Sequence, residues 1–484
     1  MLLPEGFKNR MTELLGDEEY RLLEASLSGD PVQGLRVNPL KGSEEGRRKL
    51  EDLFALRKIT YEDTGYYFDP DTFPGRRPYH DAGAYYIQDP GAMVPGAILC
   101  ERLFGCGAED AESECRTGFA SLHGESGRDG LRILDLCAAP GGKSTQIAAA
   151  MAGRGILFSN EINRSRAEIL SRNIERMGIV NAIVLNETPE KLAERFTGYF
   201  DAIIVDAPCS GEGMFRKDEE AIAQWSDEGV DICTQRQAGI LQSAYRMLRP
   251  GGVMVYSTCT FESPEDEDMV KSFISEYPDM KLTDMSFFKS KAEGTRDGLC
   301  GLNECIRMWP MYFAGEGQFA ALLEKCGEGA GALPAGGFEP SSKIKDIKPL
   351  EMFLKDALSK DAASWILNSS DRFRVNGDNL YLMPDDTPSL SGLKVLRCGL
   401  HIGTFKKDRF EPAHALALTL NEQDAMLVKK VSEDEAESFV KGMTLEGEGN
   451  GWCLVSLDGF SLGWGKASGG RVKNHYPKGL RIPG

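Results

Sequence analysis

Two cysteines stand where a thiol can act as a nucleophile. Cys209 follows Asp206-Ala207-Pro208 at the end of the apolar run 202–205, within "DAPCSGEGMFRKD" (206–218). Cys259 closes a second apolar run, in "VYSTCTFESPEDE" (255–267). A thiolate is an intrinsically strong nucleophile, and its reactivity is set by its surroundings. A free cysteine is equally a small hydrophobe that fills space. Most of the twelve cysteines read as such fillers, since no Cys-x-x-Cys occurs. Cys300 and Cys305 lack a second pair, so no metal site is expected. A disulfide framework is not expected in a chain this long without a secretory signal.

A third stretch supplies a ligand loop. The run "LRILDL" (131–136) has the length of a buried strand and ends in "CAAPGGKSTQ" (137–146). In open parallel sheets, ligands bind beyond the carboxyl ends of strands, where the strand order switches. The small residues Ala138, Ala139, Gly141 and Gly142 allow close approach, and a helix start at Lys143 offers free N–H groups. The spacing matches neither the dinucleotide fingerprint nor the phosphate loop, so no pyrophosphate cradle is implied. Glu161 ends the next strand, 18 residues after Lys143, where an acid can accept ribose hydroxyls. A loop plus an acid without a phosphate motif suits S-adenosylmethionine.

Asp206, Cys209 and Cys259 thus share one rim with that loop. Methylation of cytosine at carbon 5 requires this set of groups. Carbon 5 is a poor nucleophile until a thiolate adds to carbon 6 and makes the ring an enamine. An acid near ring nitrogen 3 stabilises the adduct, and Asp206 is placed for that. A base then removes the carbon-5 proton and the thiol leaves. The base must be unstacked to enter the pocket, and methyl and carbon must meet at about 3–3.5 Å.

The elements that position these residues alternate. Strands at 131–136, 154–160, 182–186, 200–208 and 253–259 are separated by helical stretches, which predicts an α/β doubly wound, mostly parallel sheet. In the helix after 163, Ile169, Leu170, Ile174 and Met177 are expected on one face, with Gly178 as its stop. The expected domains are 1–80, an N-terminal unit; 81–326, the sheet domain, with a poorly ordered insertion at 105–130; 327–342, a Gly/Ala/Pro linker; and 343–484, one or two smaller α+β modules. The stretch 461–484 carries five Lys/Arg and no acid, with Trp464 and Tyr476 interleaved. That composition suits phosphates and stacked bases, or else a solvated tail.

"CAAPGGK", "DAPCSGEG" and "YSTCT", in this order and spacing, resemble the signature of the Nop/Sun family of RNA cytosine-5 methyltransferases. "LRVNPLK" (35–41), "AYYIQDPGAM" (84–93) and "RMWPMYFAGEGQF" (307–319) resemble further family blocks, and "GWGKASGGRVKNHYPKGLR" (463–481) is similar to its bacterial ribosomal-RNA branch, RsmF. The resemblance implies a class I, Rossmann-like methyltransferase domain flanked by a small α+β RNA-binding domain and a C-terminal PUA-like module. It implies S-adenosylmethionine as cofactor, held by Cys137, Ala138, Ala139, Pro140, Gly141, Gly142, Lys143, Glu161 and Asp206. Cys259 would be the nucleophile and Cys209 would assist release, with Asp206 contacting both base and cofactor and Lys143 beside the catalytic pocket. The RNA would be 16S ribosomal RNA, free or in the assembled small subunit. Thr188 stands roughly where the branch often carries an adenine-contacting Asp. Met311 and Gln318 replace a common His and a common aromatic.

Two other readings compete. A DNA cytosine-5 methyltransferase would use Cys209 of the Pro-Cys pair as nucleophile, and a catalytically silent RNA-binding assembly factor would keep only the fold. The 484 residues carry a net charge of −18, against bulk attraction to nucleic acid. An RNA enzyme therefore requires its basic residues on one face. No apolar run is long enough to span a bilayer and no signal peptide is read, so the expectation is a cytoplasmic monomer without membrane contact.

Overall fold

The computed structural model describes residues 3–105, 130–329, 331–333 and 336–481. Apart from its end residues, the expected insertion at 105–130 lies outside them. Two helices, Glu5–Leu15 and Asp17–Leu27, open the chain. The first of these escapes a reading of the sequence, because only Phe7 and Met11 of its residues are buried. Both helices dock on the later sheet domain: Phe7, Met11, Tyr20, Leu23 and Leu27 share a core with Phe215, Phe261 and Trp309. A four-stranded antiparallel sheet follows, made of β1 (Gly34–Val37), β2 (Arg57–Lys58), β3 (Gly65–Tyr67) and β4 (Tyr85–Ile87), in the order β2-β3-β1-β4. It is complete only with β4, beyond residue 80.

The central sheet is built from β5 (Arg132–Asp135), β6 (Ile156–Asn160), β7 (Ala182–Leu185), β8 (Phe200–Asp206), β9 (Leu248–Thr258), β10 (Met280–Leu282), β11 (Arg296–Asp297), β12 (Ile306–Met308) and β13 (Gln318–Lys325). Its order is β11-β12-β13-β9-β8-β5-β6-β7, with β10 on β13. The strands β5 to β9 run parallel and β13 antiparallel to β9. Alternate residues face opposite helix layers. Ile133, Leu157, Val184 and Ile204 pack with Ile98 and Ile147. Leu134, Phe158, Ile183, Ile203 and Val205 pack with Leu192, Leu241 and Phe273. Burial on both faces explains the continuous apolar runs, and each such side chain contributes about 1.5–3 kcal/mol relative to exposure.

In the helix Arg164–Arg176 the buried stripe is Ala167, Leu170 and Ile174. Ile169, expected on that face, is 46% exposed, because it lies about 100° around the helix from Leu170.

The C-terminal region carries β14 (Phe373–Asn376), β15 (Asn379–Leu382), β16 (Val395–Cys398), β17 (Leu400–Lys406) and β18 (Arg409–Pro412). Four of these form the sheet β14-β15-β17-β18, whereas β16 pairs antiparallel with β7 and extends the central sheet. A last sheet, β19-β21-β22-β23-β20, comprises β19 (Val428–Lys430), β20 (Leu445–Glu446), β21 (Gly451–Leu457), β22 (Phe460–Ser468) and β23 (Arg471–Asn474). Its Val455, Leu462 and Val472 share one core with Leu35 and Tyr85 of the N-terminal sheet and with Phe54, at the end of the helix Glu44–Leu53, so the two ends of the chain close on each other. Trp464 and Tyr476, expected as stacking surfaces, are 2% and 3% exposed. Trp464 packs with Phe353 and its Nε1–H donates to the Ala413 carbonyl at 3.0 Å. Tyr476 lies beyond the end of β23 and packs on His414 and Phe439. Among the described residues no helix is long and apolar enough to cross a membrane.

Candidate active site

In the sheet order β5 lies between β8 and β6, so the loop after β5 sits at the switch point. Gly141 has φ +114°, a conformation that favours glycine, and a Cβ there would press on the Leu170 side chain at 3.1 Å. The loop's carbonyls are tied down from several sides. Arg166 Nη2 donates to the Ala139 carbonyl at 2.7 Å, and Asn173 Nδ2 to that of Pro140 at 2.8 Å. Arg36 of β1, 1% exposed, donates to the Gly142 carbonyl, Thr145 Oγ1 and Gln88 Oε1, each at 2.7 Å. The N-terminal sheet thus braces the helix Gly142–Met151 at its start.

Beneath the loop, Asp135 is fully buried. Its Oδ2 accepts from Ser144 Oγ at 2.7 Å, while Oδ1 has no partner among the described residues. Burial pushes this carboxyl up to about 7. Cys137 is partly exposed, and desolvation raises its thiol. Glu161 follows β6 directly and is 4% exposed. Its Oε1 accepts from the Asn163 N–H at 2.8 Å, and Arg166 Nη1 lies 3.6 Å from Oε2. Thr188 caps the helix Pro189–Arg195 by accepting from the Lys191 N–H at 3.4 Å, so its hydroxyl is engaged.

On the other side of the switch point, the register sets Asp206 opposite Ser257, and Thr258 opposite Phe319. Because β13 runs antiparallel, its first residue, Gln318, falls at the rim where β8 and β9 end. Asp206 collects donors from all of these elements: Lys143 Nζ at 2.7 Å, Ser257 Oγ at 2.8 Å and Gln318 Nε2 at 3.2 Å. Lys143 is therefore the link between cofactor loop and thiol rim.

Just beyond the ends of β8 and β9, the two sulfurs meet. Cys209 Sγ and Cys259 Sγ are 3.1 Å apart, both free, and the Cys259 N–H points at Cys209 Sγ at 3.3 Å. The hydrogen bond to Cys259, then burial, holds the Cys209 thiol well above its ordinary range. Gly213 closes the loop behind them: its N–H donates to the Cys259 carbonyl at 2.9 Å. A Cβ on Gly213 would lie 2.4 Å from the Gly317 carbonyl oxygen and 2.8 Å from that of Cys259.

The structure thus brings Lys143, Asp206, Cys209 and Cys259 to one rim as two bonded pairs, Lys143 with Asp206 and Cys209 with Cys259, with Cys137, residues 138–142 and Glu161 on the loop side. Sequence reasoning missed Arg36, Ser257 and Gln318. Arg36 sits in an apolar strand pattern, where an arginine itself signals a buried polar role. Gln318 stands out in the sequence only as a departure from the family block, and its contact with Asp206, 112 residues away, depends on strand pairing.

Four family profiles match the chain: the N-terminal domain of 16S rRNA methyltransferase RsmF at residues 3–90, 16S rRNA methyltransferase RsmB/F at 126–324, the RsmF rRNA methyltransferase first C-terminal domain at 353–420, and the methyltransferase RsmF PUA domain at 427–482. The ribosomal RNA small subunit methyltransferase F of Aeromonas salmonicida is 32% identical over 93% of this chain and 90% of its own length. That of Vibrio vulnificus is 30% identical over 99% and 97%. Among solved structures, NSun6 from Pyrococcus horikoshii with SFG superposes with TM-score 0.53 at 22% identity, covering 67% of this chain and 99% of that one, a likeness of fold. The chain belongs to the RsmB/F family of 16S rRNA methyltransferases, in its RsmF branch.

Proposed function

We propose that the protein transfers a methyl group from S-adenosylmethionine to carbon 5 of cytosine in 16S ribosomal RNA, with Cys259 as the nucleophile and Cys209 in the release step. The observation that carries this reading is the pair of free sulfurs 3.1 Å apart, beside an aspartate that a lysine ties to the cofactor loop.

The residues fit the cofactor. Residues 137–142 form a small-residue cradle at the switch point, and Glu161 has Oε2 left to accept a ribose hydroxyl. When bound, S-adenosylmethionine supplies an electrophilic methyl group. Lys143 orients the Asp206 carboxylate, and Asp206, 32% exposed at its side chain, faces the incoming base. The Cys259 sulfur bonds to carbon 6, and density moves to carbon 5. After methyl transfer, a base takes the carbon-5 proton, the electron pair left behind re-forms the 5,6 double bond, and the sulfur–carbon bond breaks with its pair returning to the Cys259 thiolate. Cys209, at 3.1 Å, is the group assigned to that release.

The matching profiles favour the RNA reading over the DNA-type one, since they are those of 16S rRNA methyltransferases, with RsmF domains on both flanks. On the C-terminal module, Lys466 and Lys473 stand directly opposite each other across β22 and β23. Like charges so placed repel unless an anion joins them, which supports an RNA phosphate there. The same reading has the enzyme act in the cytoplasm, as a monomer.

The test is methyl transfer from labelled cofactor to 16S rRNA and to assembled small subunits, with the product mapped at nucleotide resolution. The expected product is 5-methylcytosine, absent with Cys259→Ala. Methylation at another atom or base, or full activity in Cys259→Ala, would overturn the proposal.

A further inference from the structure

We infer that Glu265 and Gln237 are positioning residues for the release step: they clamp the segment 208–210 from both sides and thereby fix Cys209 against Cys259. This rests on the assignment of Cys209 to release.

The clamp is visible bond by bond. Gln237, on the helix Asp227–Met247, donates through Nε2 to the Pro208 carbonyl at 3.0 Å and to Glu265 Oε2 at 2.6 Å. Glu265 Oε2 also accepts from the Ser210 N–H at 3.2 Å, and Oε1 from the Ser210 hydroxyl. The residues immediately before and after Cys209 are therefore held by one side-chain pair. Ser210 Oγ lies 3.0 Å from Thr260 Oγ1, and both hydroxyls reach Glu212 Oε2, which ties the residue after Cys209 to the residue after Cys259.

Gln237, Glu212 and Glu265 are fully buried. Burying two carboxyls at one spot is costly unless they fix something the fold needs fixed. The sheet does not need them: β8 and β9 already pair up to Asp206 and Ser257. What lies beyond that last pair is the cysteine segment. Burial pushes the Glu265 carboxyl up to about 7, so glutamine at this position removes no charge that is fully developed at neutral pH. A glutamine keeps one acceptor oxygen where the carboxyl group has two, so the donors of Gln237 and Ser210 are served by one oxygen fewer and the clamp weakens.

The experiment separates positioning from general support by comparing two steps. Adduct formation at Cys259 and its release are timed in single turnovers with 16S rRNA, on the full chain, for wild type, Cys209→Ala, Glu265→Gln and Gln237→Leu. The expected result is that Glu265→Gln and Gln237→Leu form the adduct within about twofold of the wild-type rate. Release should slow by about tenfold, the loss of one buried hydrogen bond, so covalent RNA accumulates as in Cys209→Ala. Equal slowing of both steps, or no change in either, would overturn the inference. Gln237→Leu leaves both carboxyls in place and serves if Glu265→Gln fails to fold. If Cys209→Ala itself accumulates no adduct, the assignment of Cys209 has failed. If it does and the clamp variants do not, only the clamp is refuted.

Discussion

Replacing Arg36 by methionine should loosen the cofactor loop from a distance. Arg36 makes three hydrogen bonds of 2.7 Å, to Gln88, the Gly142 carbonyl and Thr145. Hydrogen bonds from a charged donor are worth about 1.5–3 kcal/mol each, which gives roughly 4–9 kcal/mol before any offset. The offset is real: burial lowers the pKa of Arg36, so the guanidinium is desolvated in the folded state and methionine escapes that cost. Methionine fills a similar volume but takes the donor from Gln88 Oε1, while the Gly142 carbonyl keeps the Thr145 hydroxyl at 3.0 Å, and the net expected loss is about 1–3 kcal/mol. Since the bonds end on the first turn of the helix after the loop, about 1.4 kcal/mol of this should reappear as a tenfold weaker Kd for S-adenosylmethionine. Thermal unfolding measures the first quantity and titration calorimetry the second. A stability loss under about 1 kcal/mol with an unchanged Kd would refute the claim that the N-terminal sheet braces the loop.

Three further outcomes are expected. Asp135 has its carboxyl raised from 3.8 to about 7 by burial, so the folded state keeps a proton that the unfolded chain has lost; stability should fall as pH rises from about 4 to 7, by at most roughly 4 kcal/mol. Asp135→Asn should flatten that slope in urea midpoints taken across the range, and parallel wild-type and variant profiles would contradict it. Gly213→Ala should destabilise by about 1–3 kcal/mol and depress both catalytic steps, because its Cβ meets two backbone oxygens, those of Gly317 and Cys259; a variant with wild-type melting and turnover would mean that this loop yields freely. Charge reversal at the exposed Lys473 and Lys478 should weaken RNA binding and reduce the slope of log K against log salt by about 0.7 for each phosphate left unneutralised, with unaltered binding and slope counting against a role for this face.

The chemistry is more legible in the sequence than the assembly. The apolar runs ending at Asp135, Asp206 and Thr258 are buried on both faces, so they stand out without any partner, and topology alone puts the residues at their ends on one rim. What escapes depends on pairings distant in sequence. Gln318 reaches Asp206 only through an antiparallel strand, and Arg36 reaches Gly142 from another sheet. The core joining Leu35 and Tyr85 to Leu462 and Val472 unites the two ends of the chain, which no local pattern announces. Trp464 and Tyr476 mislead for a related reason. Interleaved basic and aromatic residues describe an RNA surface and a packed core equally well, and only the packing of Trp464 on Phe353 and of Tyr476 on Phe439 distinguishes them.

The central claim concerns one sulfur. RNA carrying 5-fluorocytosine cannot release a proton from carbon 5 after methyl transfer, so it should remain bonded to the nucleophile. Incubation with the enzyme and S-adenosylmethionine, followed by peptide mass mapping, reads out which residue carries the nucleotide. The expected adduct is on Cys259. An adduct on Cys209, or sustained methylation of ordinary RNA with no trapped species on either thiol, would contradict that claim.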